Sequence, residues 1–392
     1  MKKQNDLTVS RQEGFLAAFA IFVLFIGTFP NNLFSGEFSF AAMCDSRGSV
    51  NGVNEPVLSF VADHLIKKNT QAKFLVFPGD MVSGNDNDPL ATKKELAYWK
   101  KVMDPVYKNT NMVWPRIWPV PGNHEMRHAK DADTFREAFP DVFMNGPKDE
   151  PGLYYSFDYK NSHFAIINTD HFDAGDPKDP KDDKRDWHYV KHLDWLKKDL
   201  ESARERKVRH IFVFGHEPAF PITIGHLPSG MSNIGRGDKL KNPDLTYMKK
   251  RDEFWKVLSD NKVAAYVCGD DHAYGRQSVD GVYQIVTGGA GAPLYALNPC
   301  SKDEFKDIPK TWLTFKQAFS YYKILGYPHG KGDKCQASND FVGGKYFGYV
   351  MLKVAEESIE VKVWGVEPDK DNSKRIKKGD GLRIVDSFVI QD

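Results

Sequence analysis

Residues 117–125 read Ile-Trp-Pro-Val-Pro-Gly-Asn-His-Glu. A short apolar run ends abruptly in a turn that carries an amide, an imidazole and a carboxylate. The same arrangement recurs four more times. Residues 38–44 end in Asp45-Ser46-Arg47-Gly48, and residues 74–77 (FLVF) end in Pro78-Gly79-Asp80. Residues 211–214 (IFVF) end in Gly215-His216-Glu217-Pro218, and residues 263–268 end in Gly269-Asp270-Asp271-His272. Runs as continuously apolar as FLVF and IFVF suit strands buried on both faces.

Helical patterns separate these runs. Pro56 sits where the first turn of a helix from Glu55 would be, with Asn54 as its cap, and Val57, Leu58, Val61, Leu65 and Ile66 follow helical spacing. Residues 191–204 form an amphipathic pattern on Leu193, Leu196 and Leu200, and residues 249–260 are also helical. Residues 153–159 and 163–168 read as a hairpin, and residues 346–354, 358–366 and 382–389 as strands. Residues 173–186, rich in Asp, Lys and Pro, read as a solvated loop. Alternating strands and helices indicate a layered α/β fold. In open α/β sheets the site lies beyond the carboxyl ends of the strands, so five such ends can converge on one place.

The totals narrow the function classes. The 392 residues, 41% hydrophobic and 27% charged, fit a soluble globular protein of one large or two ordinary domains. Lys+Arg at 54 and Asp+Glu at 53 leave a formal charge of +1, which gives no reason to expect nucleic acid as a partner. At the N-terminus, Lys2, Lys3 and Arg11 precede an uncharged apolar run over residues 14–29. That pattern reads as an export signal or a membrane anchor, with the remainder outside the cytoplasm. Residues 30–36 show no clear cleavage site, so removal and retention both stand. If retained, the segment makes the membrane a partner. The expected division is residues 1–36 as signal or anchor plus linker, and residues 37–392 as one catalytic domain with C-terminal strands. Of four cysteines, Cys300 and Cys335 flank an irregular stretch as candidate disulfide partners, whereas Cys44 and Cys268 end apolar runs and read as buried small hydrophobes.

Taken in order, the series Asp45, Gly79-Asp80, Gly122-Asn123-His124-Glu125, Gly215-His216 and Gly269-Asp270-Asp271-His272 resembles the signature of the calcineurin-like metallophosphoesterases, over roughly residues 37–366. The details Asp-Ser-Arg-Gly, Tyr155-Ser156-Phe157-Asp158 and residues 195–200 (WLKKDL) resemble the bacterial branch near purple acid phosphatases. The resemblance implies a layered α-β-β-α sandwich with two mixed sheets. It also implies two divalent metal ions (Mn, Fe, Zn or Mg) that neutralise phosphoryl oxygens and acidify a bridging water. By resemblance Asp80 bridges the metals, Asp45 and His272 serve the first, and Asn123, His216 and Asp270 serve the second. His124 would donate a proton to the leaving oxygen or hold the transition state.

Each residue also has an ordinary structural reading. Asp80 can cap a helix, Asn123 can occupy a turn, Asp45 can lie in a surface turn, and His216 and His272 can be satisfied structural histidines. His171, at the end of a strand, is positioned to line the mouth, while His188 and His192 read as solvated helix positions. The sequence departs from the family pattern at Arg47 and Asp270, where histidines are usual. Ser83 stands where purple acid phosphatases place a tyrosine. Fewer nitrogen and more oxygen ligands favour Mn or Mg over Zn. Arg47 cannot ligate a metal but can hold two oxygens of a phosphate, or the carboxylate of Asp270 or Asp45 when no substrate is present. Stretches 83–99, 220–247 and 298–341 are expected to shape the substrate mouth.

The expected function is metal-dependent hydrolysis of a small phosphorylated substrate, with monoesters favoured. The alternatives are a phosphodiesterase or a non-catalytic phosphate- or metal-binding relative. The charged and apolar N-terminal pattern also predicts topology: a reporter enzyme that is active only outside the cytoplasm, fused after Asp392, should be active. A silent fusion beside an active cytoplasmic reporter at the same site would overturn the export reading.

Overall fold

The computed structural model describes residues 36–85, 88–128, 130–171, 187–224, 230–232, 245–299, 302–306, 314, 316–317, 320 and 337–391. The apolar run 14–29, the Cys300–Cys335 pair and the loop 173–186 lie outside these residues, as do parts of the stretches 220–247 and 298–341. Among the described residues no helix is long and apolar enough to cross a membrane.

The first third of the fold runs β1 (Phe38–Ala42), β2 (Arg47–Val50), α1 (Glu55–Lys68), β3 (Ala72–Pro78), α2 (Pro89–Val102), α3 (Asp104–Tyr107), β4 (Ile117–Val120) and α4 (Asp131–Ala138). The middle runs β5 (Tyr155–Tyr159), β6 (Ser162–Ile166), β7 (Asp170–His171), β8 (Trp187–His188), α5 (Leu193–Glu205), β9 (His210–Phe214), α6 (Thr246–Asp260) and β10 (Ala265–Cys268). The rest is β11 (Tyr274–Val279), β12 (Val282–Thr287), α7 (Lys302–Lys306), β13 (Val342–Gly344), β14 (Phe347–Val354), β15 (Ser358–Val366), β16 (Pro368–Asp369), β17 (Asn372–Ile376) and β18 (Arg383–Gln391).

Two mixed sheets carry the fold. One has the order β18-β15-β14-β1-β3-β4, parallel across β1, β3 and β4 and antiparallel elsewhere. The other has the order β13-β11-β12-β10-β9-β6-β5, parallel across β12, β10, β9 and β6 and antiparallel at both margins. Helix α1 packs on β14 and helix α5 on β6, giving the expected α-β-β-α layering. Between the sheets lies an aromatic core. The Phe40 ring from the first sheet sits 5.2 Å from Phe164 and 5.1 Å from Phe212 of the second, and 5.4 Å from Phe74 beside it.

Register determines what emerges at the strand ends. Pro78 pairs with Val120, so Gly79-Asp80 and the turn 121–125 leave the first sheet side by side. Val267 pairs with Phe214, so Gly215-His216 and Gly269-Asp270 leave the second sheet together. One residue of slip in either pair would turn these side chains to the other face.

Three local expectations change. Asn54 does precede α1, but its amide does not cap the helix; Nδ2 donates to Gly291 O at 2.6 Å and Lys374 O at 3.0 Å. The stretch 83–99 is not purely a mouth insertion. Most of it is α2, capped by Asp88, and it buries Leu96 and Trp99 in the core. Hairpin β11–β12 was not among the expected strands, although it continues the second sheet beyond β10.

Phe40 is wholly buried at the contact between the sheets. Phe40→Ala should lower the unfolding free energy by about 3–5 kcal/mol, the range for a buried Phe truncated beside neighbours that cannot collapse onto it. Chemical denaturation at constant metal concentration measures this. A loss under about 1 kcal/mol would show that the sheets close over the gap.

Candidate metal centre

Three aspartates at strand ends have left-handed backbones: Asp45 at φ 63°, Asp80 at φ 53° and Asp270 at φ 59°. This region costs an ordinary L-residue roughly 1–2 kcal/mol, and Asp tolerates it better than most because its short side chain can bond locally. The turn lifts each carboxylate out of the strand line and toward the gap between the sheets. The first two loops lock together. Asp45 N donates to Gly79 O at 3.2 Å and Ser46 N to Asp80 O at 2.8 Å. Ser46 Oγ donates to Met81 O at 2.8 Å and accepts from Trp99 Nε1 at 3.0 Å. Ser83 Oγ donates to Gly48 O at 2.8 Å, which fastens one loop to the other.

The two histidines have their outer nitrogens anchored. His216 Nδ1 donates to Pro78 O at 2.8 Å, which turns Nε2 toward Asp80 Oδ1 at 3.2 Å and Asp270 Oδ1 at 3.9 Å. His272 Nδ1 donates to Pro293 O at 2.9 Å, which turns Nε2 toward Asp45 Oδ1 at 3.5 Å. The His272 ring stacks on Tyr295 at 4.3 Å. A carbonyl on one ring nitrogen is the usual device that aims the other nitrogen at a metal.

Asp80 is the hub. Its carboxylate meets Arg47 Nε at 3.3 Å and His124 Nε2 at 3.7 Å, and accepts from His124 N at 3.1 Å. Burial pushes the Asp80 carboxyl up, but His124, His216 and Arg47 outweigh it and hold it below the usual carboxylate range. The Arg47 contact corrects the expectation that it would pair with Asp270 or Asp45. The bonds from Asp45 N and Ser46 N draw its loop across the end of β3, where Asp80 is the carboxylate in reach. Beneath Asp80, Glu125 accepts from Asp80 N, Val82 N and Gly122 N at 2.8, 3.1 and 3.0 Å, bracing two strand-end loops. His124 Nδ1 donates to Ser83 O at 2.5 Å, and burial lowers its imidazole to about 4, leaving it neutral near pH 7. Asn123 lies in the same turn, and its Oδ1 is buried.

Glu217 joins the cluster and was quoted at its strand end without being given a role. It is wholly buried, and a ligating atom on each of His216, Glu217 and Asp270 lies within 4.8 Å of the others. Behind it, His188 Nδ1 stands 2.8 Å from Glu217 Oε1 and 3.0 Å from Asp170 Oδ1. Burial disfavours the His188 cation, but the Glu217 and Asp170 carboxylates outweigh it and raise the imidazole well above its usual value. This overturns the reading of His188 as a solvated helix residue: it lies in β8, buried because β8 pairs with β7. His192 also differs. It precedes α5 and faces Asp149 Oδ2 at 3.3 Å. His171 is held by Glu150 Oε1 at 3.2 Å and Tyr189 O at 3.1 Å. Cys44 and Cys268 are buried thiols, and Cys44 Sγ donates to Asp45 Oδ2 at 2.9 Å.

The residues present fit a pair of divalent cations. Asp45, Asp80 and His272 offer ligand atoms within 4.8 Å of one another, as do His216, Glu217 and Asp270. Among the described residues no hydrogen bond reaches the buried Asp45 Oδ1, Asp80 Oδ2, Asn123 Oδ1 or His216 Nε2. Buried acceptors without donors are costly, and a cation between them removes the cost.

Comparison with known proteins places this geometry in context. A family model described as calcineurin-like phosphoesterase matches residues 54–274. Serine/threonine-protein phosphatase CPPED1 of Pongo abelii is 25% identical over 178 residues, 45% of this chain and 50% of that relative. The chain therefore spans about half the length of that curated relative. Purple acid phosphatase PPD1 from yellow lupin (Lupinus luteus) superposes with a TM-score of 0.55 at 16% identity, covering 91% of this chain and 54% of that one. A dimetal phosphatase from Danio rerio gives 0.51 at 12% identity, covering 90% and 98%. At these identities the likeness is one of fold.

Gly79 tests how tightly the centre is built. At φ 85° an added Cβ would sit 2.5 Å from His216 Nδ1 and 2.8 Å from Gly122 Cα. Gly281 has nearly the same backbone, φ 82°, with nothing within 4 Å. Gly281→Ala should cost roughly 1–2 kcal/mol for its backbone alone. Gly79→Ala should cost about 1–3 kcal/mol more through overpacking. Equal losses in thermal or denaturant unfolding would mean that the loops carrying Asp80 and His216 give way to a methyl group.

Proposed function

The chain belongs to the calcineurin-like phosphoesterase family of metal-dependent phosphoric ester hydrolases, and from that membership we propose that it is a phosphomonoesterase acting on a small phosphorylated substrate. The observation that carries the reading is the convergence of Asp45, Asp80, His216, Asp270 and His272 from the ends of strands in both sheets. Asp45, Asp80 and His272 would hold one cation. Asp80, Asn123, His216 and Asp270 would hold the other. A bound pair would supply charge to neutralise the phosphoryl oxygens and would acidify water for the attack.

The chain's own groups do the rest. Arg47 is partly exposed and lines a cleft with Ser83, Pro293 and Lys374. Its guanidinium presents paired donors that match two oxygens of one phosphate. A monoester dianion offers three terminal oxygens, enough to meet this fork and still leave one for the cations. A diester has only two, which supports the monoester reading. Burial lowers the His124 imidazole to about 4, so it is neutral near pH 7. A bound dianion beside Nε2 favours its protonated form, which can then hand a proton to the leaving oxygen. The apolar run at residues 14–29 supports an extracytoplasmic location for this activity.

Hydrolysis of p-nitrophenyl phosphate should disappear on chelation and return with Mn, and should exceed that of bis-p-nitrophenyl phosphate. His124→Ala should retain metal by elemental analysis while kcat falls by about 10²–10⁴-fold. Preference for the bis-ester would move the assignment to a phosphodiesterase. Undiminished activity in metal-free protein, or no turnover of either ester with metal bound, would end the hydrolase reading of this site.

A further inference from the structure

Glu217 has a geometry that the ligand set above does not explain. Its carboxylate is fully buried, and no hydrogen bond among the described residues reaches Oε1 or Oε2. One oxygen, Oε1, lies 2.8 Å from His188 Nδ1, the ring nitrogen that donates to Asp170 Oδ1 at 3.0 Å. Its backbone is pinned. Glu217 N donates to Thr169 Oγ1 at 3.1 Å, and Tyr266 OH donates to Glu217 O at 2.7 Å. The side chain is therefore fixed against the same gap that His216 Nε2 and Asp270 Oδ1 face. A buried carboxyl without a donor takes up a proton, as burial and the nearby Asp270 and Asp170 favour for Glu217, unless a cation beside it stabilises the ionised form.

We propose that Glu217 is a further ligand of the second cation, with His188 and Asp170 as positioning residues that fix its Oε1. The inference rests on the metal centre proposed above and adds to it. Where the family pattern has an imidazole, this chain has the Asp270 carboxylate, and Glu217 brings a second carboxylate to the same ion. The set Asp80, Asn123, His216, Glu217 and Asp270 then offers a single nitrogen among oxygens. Such a site favours Mn or Mg over Zn, because carboxylate and amide oxygens suit harder ions and imidazole suits Zn. It also gives His188 a purpose, since its ring, held by Asp170, is packed against Glu217 Oε1.

The test counts ions rather than turnover. Full-length protein is stripped with a chelator, titrated with MnCl2, and bound Mn is counted from the electron paramagnetic resonance of the unbound ion. Wild-type protein should bind two Mn per chain. Glu217→Gln should weaken one site by tenfold or more and leave the other unchanged, with circular dichroism intact. The same variant should bind Zn relative to Mn better than wild type does. His188→Gln should weaken the same site by a smaller factor, and it stands in for Glu217→Gln if that variant does not fold. Two unaltered Mn sites in the folded variants would overturn the proposal. So would a third Mn in wild type lost on Glu217→Gln, which would mean that Asp170, His188 and Glu217 hold an ion of their own. Wild-type protein that binds no Mn would instead remove the metal centre on which the proposal rests.

Discussion

The site depends on holding carboxyl groups where water cannot reach them. Asp45, Asp80, Glu217 and Asp270 are all buried where the two sheets meet. Moving a carboxylate into such surroundings costs several kcal/mol even after relaxation. The surrounding structure answers that cost group by group. Arg47 and the His124 amide reach Asp80, the Cys44 thiol donates to Asp45, and His188 stands against Glu217. These answers are partial: among the described residues no hydrogen bond reaches Asp45 Oδ1, Asp80 Oδ2 or either Glu217 oxygen. A fold that only needed to be stable would replace such groups by apolar residues of similar volume, often without loss. Their presence together is explained by charge that arrives from outside the chain.

Much of this was legible in the sequence because the site sits at strand ends. Short apolar runs such as 74–77 and 211–214 mark strands by their continuity, and the polar residues that interrupt them are conspicuous. The register of β3 with β4 and of β9 with β10 then brings those residues together. Hairpin β11–β12 was harder to see, because its buried positions include Gln277 and Gln284, which bond the backbone of Phe220. The signal that was present is Asp280-Gly281, both at positive φ, the pairing favoured in two-residue hairpin turns. His188 was misread because it lies just before the helical pattern that starts at residue 191, whereas its burial comes from a two-residue strand pairing with β7. Glu217 was missed because it stands beside a stronger signal, His216, and nothing in its spacing distinguishes a ligand from a solvated residue.

Backbone strain marks the same places as the charge. Asp45, Asp80 and Asp270 share left-handed conformations, although they come from three different loops on two sheets. Such conformations persist where the surroundings over-determine them, and they gather at functional sites. Here the determining contacts are Asp45 N to Gly79 O, Ser46 N to Asp80 O, and Gly269 N to His216 O at 2.9 Å. Each bond ties one ligand-bearing loop to another, so no aspartate can relax its backbone without disturbing a neighbour.

The candidate ligands are divided between the sheets. Asp45, Asp80 and Asn123 follow β1, β3 and β4 of the first sheet, whereas His216, Asp270 and His272 follow β9 and β10 of the second. Any ion shared among them fastens one sheet to the other across the far end of the aromatic core. The unfolded chain has no such arrangement, so occupancy and folding are thermodynamically linked: an ion at a thousand times its dissociation constant contributes about 4 kcal/mol to the folded state. The supply of metal would then set how long the protein persists, and a cell that withdraws the ion would be unfastening the sandwich at the end where the candidate ligands gather.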